Sequence, residues 1–337
     1  MRRVGALLLA VAMVLGAVWL RARIDDDPGG RGNGDDRAAK DGVVRLVCAT
    51  ELAAVCSPLR SEDVEVRVEA AGVTADDLAA LESGSDAGFD LWLTDAAWPG
   101  IVADNRSFEG RDGRVLGKPS DVLARSPVVL MVVDPLPAPL AEACDGEPGW
   151  VCVGDAATQQ LAVGITPPDR GGLSVLASAV AGRLDMTDYA AQDFEDTGFS
   201  GWFDRLTTSG IRSLGKQSPL ERGVAAPGTF VAVATTEREV LTVRRSRARY
   251  QPIYPEPVVT SDIVLVPSTG ARDDDATGDD ALGDLGVTER LQDLLVAAGW
   301  RVEGRALPDG ADPDVSLPGE SNLPRPGVLQ RLRELWG

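Results

Sequence analysis

The chain has 337 residues, 52 of them acidic and 33 basic, for a net charge of −19, and it contains no histidine. Such a balance excludes nucleic acid and anionic lipid surfaces as partners, because like charge repels both. Without histidine there is no Ser-His-Asp or Cys-His hydrolytic site, so an enzyme is not expected.

Met1-Arg2-Arg3 precedes an uncharged run from Val4 to Leu20, and Arg21 and Arg23 follow it. As a helix the run spans about 25 Å, near the lower limit for crossing a bilayer. It ends Ala17-Val18-Trp19-Leu20-Arg21, a poor small-x-small cleavage site, and Trp19 suits a membrane interface. Residues 1–24 are therefore read as a signal anchor in preference to a cleaved signal peptide. Arginines flank both sides, so the flanks do not set the orientation. Residues 25–42, rich in Asp and Gly, read as a disordered linker.

The four cysteines, Cys48, Cys56, Cys144 and Cys152, allow three connectivities. Loop-closure entropy favours the short pairs Cys48–Cys56 and Cys144–Cys152. Metal ligation is disfavoured by the missing histidine and the absence of Cys-x-x-Cys, so neither a metal nor a cofactor is expected. Behind an export segment, disulfides are the better reading than buried thiols, and they place the main domain outside the membrane.

From Val43 the chain alternates strands and helices. Val43–Val47 is a short apolar strand, a helix runs from Glu51 towards Pro58, and Val64–Val68 alternates as a strand does. A helix opens near Val73 with Thr74 as candidate N-cap. Phe89–Leu93 is a strand and Asp95–Asp104 a helix. Pro127–Val133 is apolar throughout, as expected of a strand covered on both faces. Leu161–Ile165 is a further strand, and Thr166–Gly172 is a loop feeding a helix over Leu173–Leu184. A helix follows at Ser200–Ile211, a strand at Phe230–Thr235, a helix at Glu237–Arg245, an extended stretch at Tyr250–Pro257 and a strand at Ile263–Val266. Acidic, glycine-containing Ala271–Asp284 reads as a solvated loop, Thr288–Ala298 as a helix stopped by Gly299, and Pro326–Trp336 as a terminal helix. This rhythm predicts an α/β fold with parallel pairing, and the length suits two lobes.

The order of these segments resembles the type II periplasmic (extracellular) solute-binding proteins. The resemblance rests on Val43–Glu51, Phe89–Asp95, Leu123–Val129, Gly171–Leu176 and Tyr254–Val264. It departs from the family in having no lipobox cysteine and in carrying the acidic insert after Ser268. It implies a two-lobed periplasmic-binding-protein-like fold behind the N-terminal helix, with lobe one from 43–124 and 261–337 and lobe two from 127–250. The crossings between lobes would be 125–126 and 251–260. It further implies an extracytoplasmic, membrane-tethered monomer that traps a small polar solute for an ABC-type permease. The alternative is an envelope interaction or sensory ectodomain on the same fold.

Candidate ligand-binding residues fall where strands end and helices begin, the usual position of sites in α/β sheets. Thr50 and Glu51 follow the first strand, either touching ligand or capping a helix. Thr94 and Asp95 end the third strand, and Trp98 beyond it offers a stacking surface where Trp92 is core. Ser126 lies at the first crossing and Tyr254 on the second, as ligand contacts or as hinge packing. In Asp169-Arg-Gly-Gly172, either Arg170 pairs an anionic group, with Gly171, Gly172 and Ser174 at the start of the following helix, or the segment is a turn and helix cap alone. Thr235 and Thr236 end the strand of the second lobe. Arg244, Arg245, Arg247 and Arg249 read as a solvated helix face rather than a nucleic-acid site.

Overall fold

The computed structural model describes residues 43–111, 113–194, 196–210, 217–243, 250–269 and 277–336. The hydrophobic segment 1–24, the linker 25–42, the arginine cluster at 244–249 and residues 270–276 of the acidic insert lie outside these. Among the described residues, no helix is long and apolar enough to cross a membrane.

Among the described residues, eight strands form the sheet: β1 (Val44–Ala49), β2 (Val64–Glu69), β3 (Leu91–Asp95), β4 (Ala124–Val133), β5 (Val163–Ile165), β6 (Ala232–Thr236), β7 (Tyr250–Ile253) and β8 (Thr260–Pro267). Their order is β2-β1-β3-β8-β4-β6-β5, with β7 also on β4. The expected parallel pairing holds for β1 with β2 and β3, and for β5 with β6. By contrast β8 is antiparallel to β3 and β4.

β4 pairs with β8 along its first part and with β6 along its second. Its first residues, Ala124–Pro127, pair with Ile263–Thr260 of β8, and Val128–Val132 pair with Thr236–Ala232 of β6. β4 is covered almost throughout and β8 at every position, which explains the apolar runs Pro127–Val133 and Ile263–Val266 within them.

Among the described residues, twelve helices flank the strands: α1 (Ala53–Cys56), α2 (Ala71–Ala80), α3 (Ala97–Phe108), α4 (Ala138–Ala143), α5 (Trp150–Ala156), α6 (Leu173–Leu184), α7 (Thr197–Thr208), α8 (Pro219–Ala225), α9 (Glu237–Val243), α10 (Gly278–Leu285), α11 (Thr288–Ala297) and α12 (Pro326–Trp336). Local chemistry accounts for several starts. Asp196 accepts hydrogen bonds from Gly198 and Phe199 to cap α7, and Ser218 with Glu221 forms a capping box at α8. Trp92, Trp98, Trp202 and Trp300 anchor the core, each fully buried. Helix α12 packs on α3 and also on α6, so the C-terminal helix touches elements of both lobes.

Both expected disulfides are present, Cys48–Cys56 joining β1 to α1 and Cys144–Cys152 joining the end of α4 to α5. Three local readings need correction. Thr74 does not cap α2, which starts at Ala71; Thr74 lies inside it and donates to the Glu69 carboxylate at 2.9 Å. The end of the acidic insert is helical, as α10, because Thr277 and Asp280 hydrogen-bond reciprocally at its start. Finally, α4, α5 and α8 have no counterpart in the strand–helix reading.

Candidate functional site: the cleft between the lobes

The C-terminal ends of β1, β5 and β6 converge on a cavity of about 20 Å³, room for about one water. It is lined by Glu51, Thr166, Arg170, Gly171, Thr235, Thr236, Arg238, Glu239, Ser261 and Trp300. Glu51 follows β1, and Thr166, Arg170 and Gly171 follow β5. Thr235 to Glu239 span the β6–α9 junction.

Arg238 is the main bond across this cleft. Its Nη2 donates to the Glu51 carbonyl at 2.8 Å, its backbone N–H donates to Ser126 Oγ at 2.9 Å, and its guanidinium lies 5.7 Å from the Trp300 ring centre. The Glu51 side chain rests against Gly171, whose φ of +88° suits glycine. The backbone approach at Gly172 is closer still, since a Cβ there would meet the Thr166 carbonyl oxygen at 1.8 Å.

Several polar atoms here are shielded from solvent yet lack a hydrogen-bond partner among the described residues. They are both Glu51 carboxylate oxygens, Glu239 Oε1, Arg238 Nε and Trp300 Nε1. Burial raises the Glu51 carboxyl above the usual carboxylate range; its own backbone and the Arg238 charge oppose the shift. Behind it, Asp95 is pushed up to about 7, chiefly by burial, against hydrogen bonds from Ser261 Oγ and the Ala97 N–H. The Asp262 and Glu51 charges add to that shift.

Two ionic clusters link the lobes beside the cleft. Arg301 donates from Nε and Nη2 to the two Glu237 oxygens, both at 2.7 Å, and Tyr254 donates its hydroxyl to the same carboxylate at 2.5 Å. On the other side, Arg333 of α12 bonds Asp169 at 2.7 Å and Asp76 at 2.6 Å.

Of the residues singled out in the sequence, the cavity gathers Glu51, Arg170, Gly171, Thr235 and Thr236. Ser126 lies behind it, held by Arg238, and Asp95 by Ser261. Thr50 is exposed and makes no cap, while Thr94 and Ser174 are fully buried outside the lining. Trp98 offers no stacking surface: it is fully buried, under the Arg333 guanidinium at 5.4 Å. The Gly172 N–H is not open to an anion because the turn closes on itself, bonding that group to the Pro167 carbonyl at 3.0 Å. Tyr254 is turned to Glu237 and away from the cavity.

Sequence reading missed Arg238, Glu239, Ser261 and Trp300. The first two stand in the first turn after Thr235-Thr236, so the strand-end rule that picked the threonines extends to them. Ser261 and Trp300 arrive from the C-terminal part through β8 and the end of α11, which no local signal announces.

No protein-family model matches the chain, and no curated protein sequence does. Solved structures do. A ferric binding protein from Campylobacter jejuni superposes with a TM-score of 0.59 at 9% identity, over 87% of this chain and 96% of that one. The periplasmic binding protein AfuA from Actinobacillus pleuropneumoniae, with fructose-6-phosphate bound, gives 0.59 at 12% identity over 88% and 98%. Iron-bound HitA from Pseudomonas aeruginosa gives 0.57 at 12% identity over 87% and 98%. The chain has the two-lobed fold of the type II periplasmic binding proteins.

Proposed function

We propose that the protein is an extracytoplasmic solute-binding protein that holds a small polar solute between its two lobes and presents it to an ABC-type permease. It binds its ligand without transforming it. The lobes are 43–124 with 261–337, and 127–250, moving about the crossings at 125–126 and 251–260. Residues 1–24 tether the chain to the membrane, with the main domain outside.

One observation carries this reading: charged and hydroxyl groups from both lobes meet at the strand ends, and several of their buried atoms, on Glu51, Glu239 and Arg238, lack a hydrogen-bond partner among the described residues. Buried charge without a partner is costly, and a ligand supplies the missing partners. Glu51 and Glu239 beside Arg170 and Arg238 suit a solute with both cationic and anionic or hydroxyl groups. A cavity of about 20 Å³ admits no such solute, so entry requires the lobes to part.

That small volume, with the ion pairs across the lobes, also favours a second reading, a permanently closed envelope interaction module. Small-angle X-ray scattering separates the two. Unfolding and refolding the protein to strip ligand should raise its radius of gyration above that of the untreated protein. An unchanged curve would favour the closed module.

A further inference from the structure

Three carboxylate oxygens of the cleft lining have no hydrogen-bond partner among the described residues: both of Glu51, which follows β1, and Oε1 of Glu239, in α9. Both side chains face the same cavity of about 20 Å³. Glu239 is partly engaged, since its Oε2 accepts from the Thr235 hydroxyl. The Glu51 carboxylate makes no hydrogen bond to another residue. Arg238, the cation whose charge acts on it, donates instead to the Glu51 backbone carbonyl at 2.8 Å.

The Glu51 carboxylate is shut in by the turn after β5. A Cβ at Gly171 would lie 3.4 Å from Glu51 Cγ and Cδ. Glu51 and Gly171 belong to opposite lobes of the proposed closing motion, so parting the lobes uncovers the carboxylate. A dry, unpaired carboxylate lacks more than a donor. A neutral donor would satisfy its hydrogen bonds and leave its charge uncompensated, whereas a cation does both. A simple oxyanion would bring a second negative charge beside it. A metal ion needs a fuller donor set, and among the described residues no three His, Cys, Asp or Glu side chains gather as one. An ammonium group carries three donors on one nitrogen, about the size of the water that the cavity would hold.

We infer that the solute of the cleft is an amine, with its ammonium group seated between Glu51 and Glu239. This inference rests on the cleft reading above and adds the chemical class. Arg170, Thr166 and Thr236, on the rest of the cavity wall, meet the hydroxyl or anionic part of the same solute. Glu51 is then a residue that costs stability in the empty protein and is compensated on binding.

The test uses Glu51→Gln, which keeps the shape of the side chain and removes its charge. Wild-type protein purified from its own host is denatured, and the compound it releases is identified by mass spectrometry and titrated back onto both refolded proteins. The expected compound has a basic nitrogen and binds Glu51→Gln at least about tenfold more weakly, while the empty variant melts no lower than the empty wild type. A released compound without a basic nitrogen, or equal affinity in the variant, overturns this inference and leaves the cleft reading standing. A wild-type protein that releases nothing overturns the cleft reading, and this inference with it. A lower melting temperature for empty Glu51→Gln would show the carboxylate paired to Arg238 in solution, which also overturns the amine seat. Inorganic sulfate at millimolar concentration should leave the wild-type melting temperature unchanged; a rise that Arg170→Ala abolishes would mean that the cleft takes a bare oxyanion instead.

Discussion

Glu237, at the start of α9, and Arg301, just beyond α11, form a two-pronged ion pair across the lobes, with side chains 2% and 8% exposed. The carboxylate also receives the Tyr254 hydroxyl and the Asp312 N–H, while Arg301 reaches the Asp312 and Val315 carbonyls. The two charges are thus desolvated together and almost fully satisfied. Removing one partner strands the other in a dry interior.

The first prediction follows from that satisfaction. Arg301→Met should cost about 3–5 kcal/mol of stability, read from urea unfolding, because Glu237 is left buried and unpaired. The double variant Glu237→Leu/Arg301→Met should recover much of the loss. A single variant as stable as wild type would mean that the pair is solvated or open in solution.

The second concerns pH. The Asp95 carboxyl is raised to about 7, first by burial, whereas an unfolded aspartate titrates near 3.9. The folded state therefore binds the extra proton. Asp95 contributes stability that is complete below about pH 4 and is lost as pH rises to about 7. Asp95→Asn should remove this loss, so the variant's advantage over wild type grows between pH 5 and pH 8. Parallel stability profiles for the two proteins would contradict the burial argument.

A third concerns the cross-links. Each disulfide closes a separation of 8 residues. Loop-closure entropy assigns about 2–3 kcal/mol to a ring of that size. Cys144→Ser/Cys152→Ser should lose about that much, and mass measurement after non-reducing alkylation should find no free thiol in the wild type. Four alkylated cysteines would remove the cross-links and weaken the case for export.

Much of the framework was legible because burial on both faces writes itself into the sequence. β4 and β8 read as apolar runs for that reason. The start of α2 was hidden because Gly72 is a poor helix former. Its missing side chain leaves room for Asp169, whose Oδ1 would lie 2.3 Å from a Cβ there. Tertiary packing thus overrides local propensity. At the cleft, strand ends pointed to Glu51, Arg170 and Thr235. Whether a residue at a strand end faces the cleft, as Arg238 does, or the core, as Trp98 does, depends on packing that spacing alone does not encode.

Native mass spectrometry of the protein purified from its own host tests the central claim most directly. The account predicts a bound small solute on the wild-type chain, absent or much reduced in Arg170→Ala/Arg238→Ala of equal fold. A wild-type mass equal to the bare chain, or a solute retained equally by that variant, would contradict a ligand held in the cleft.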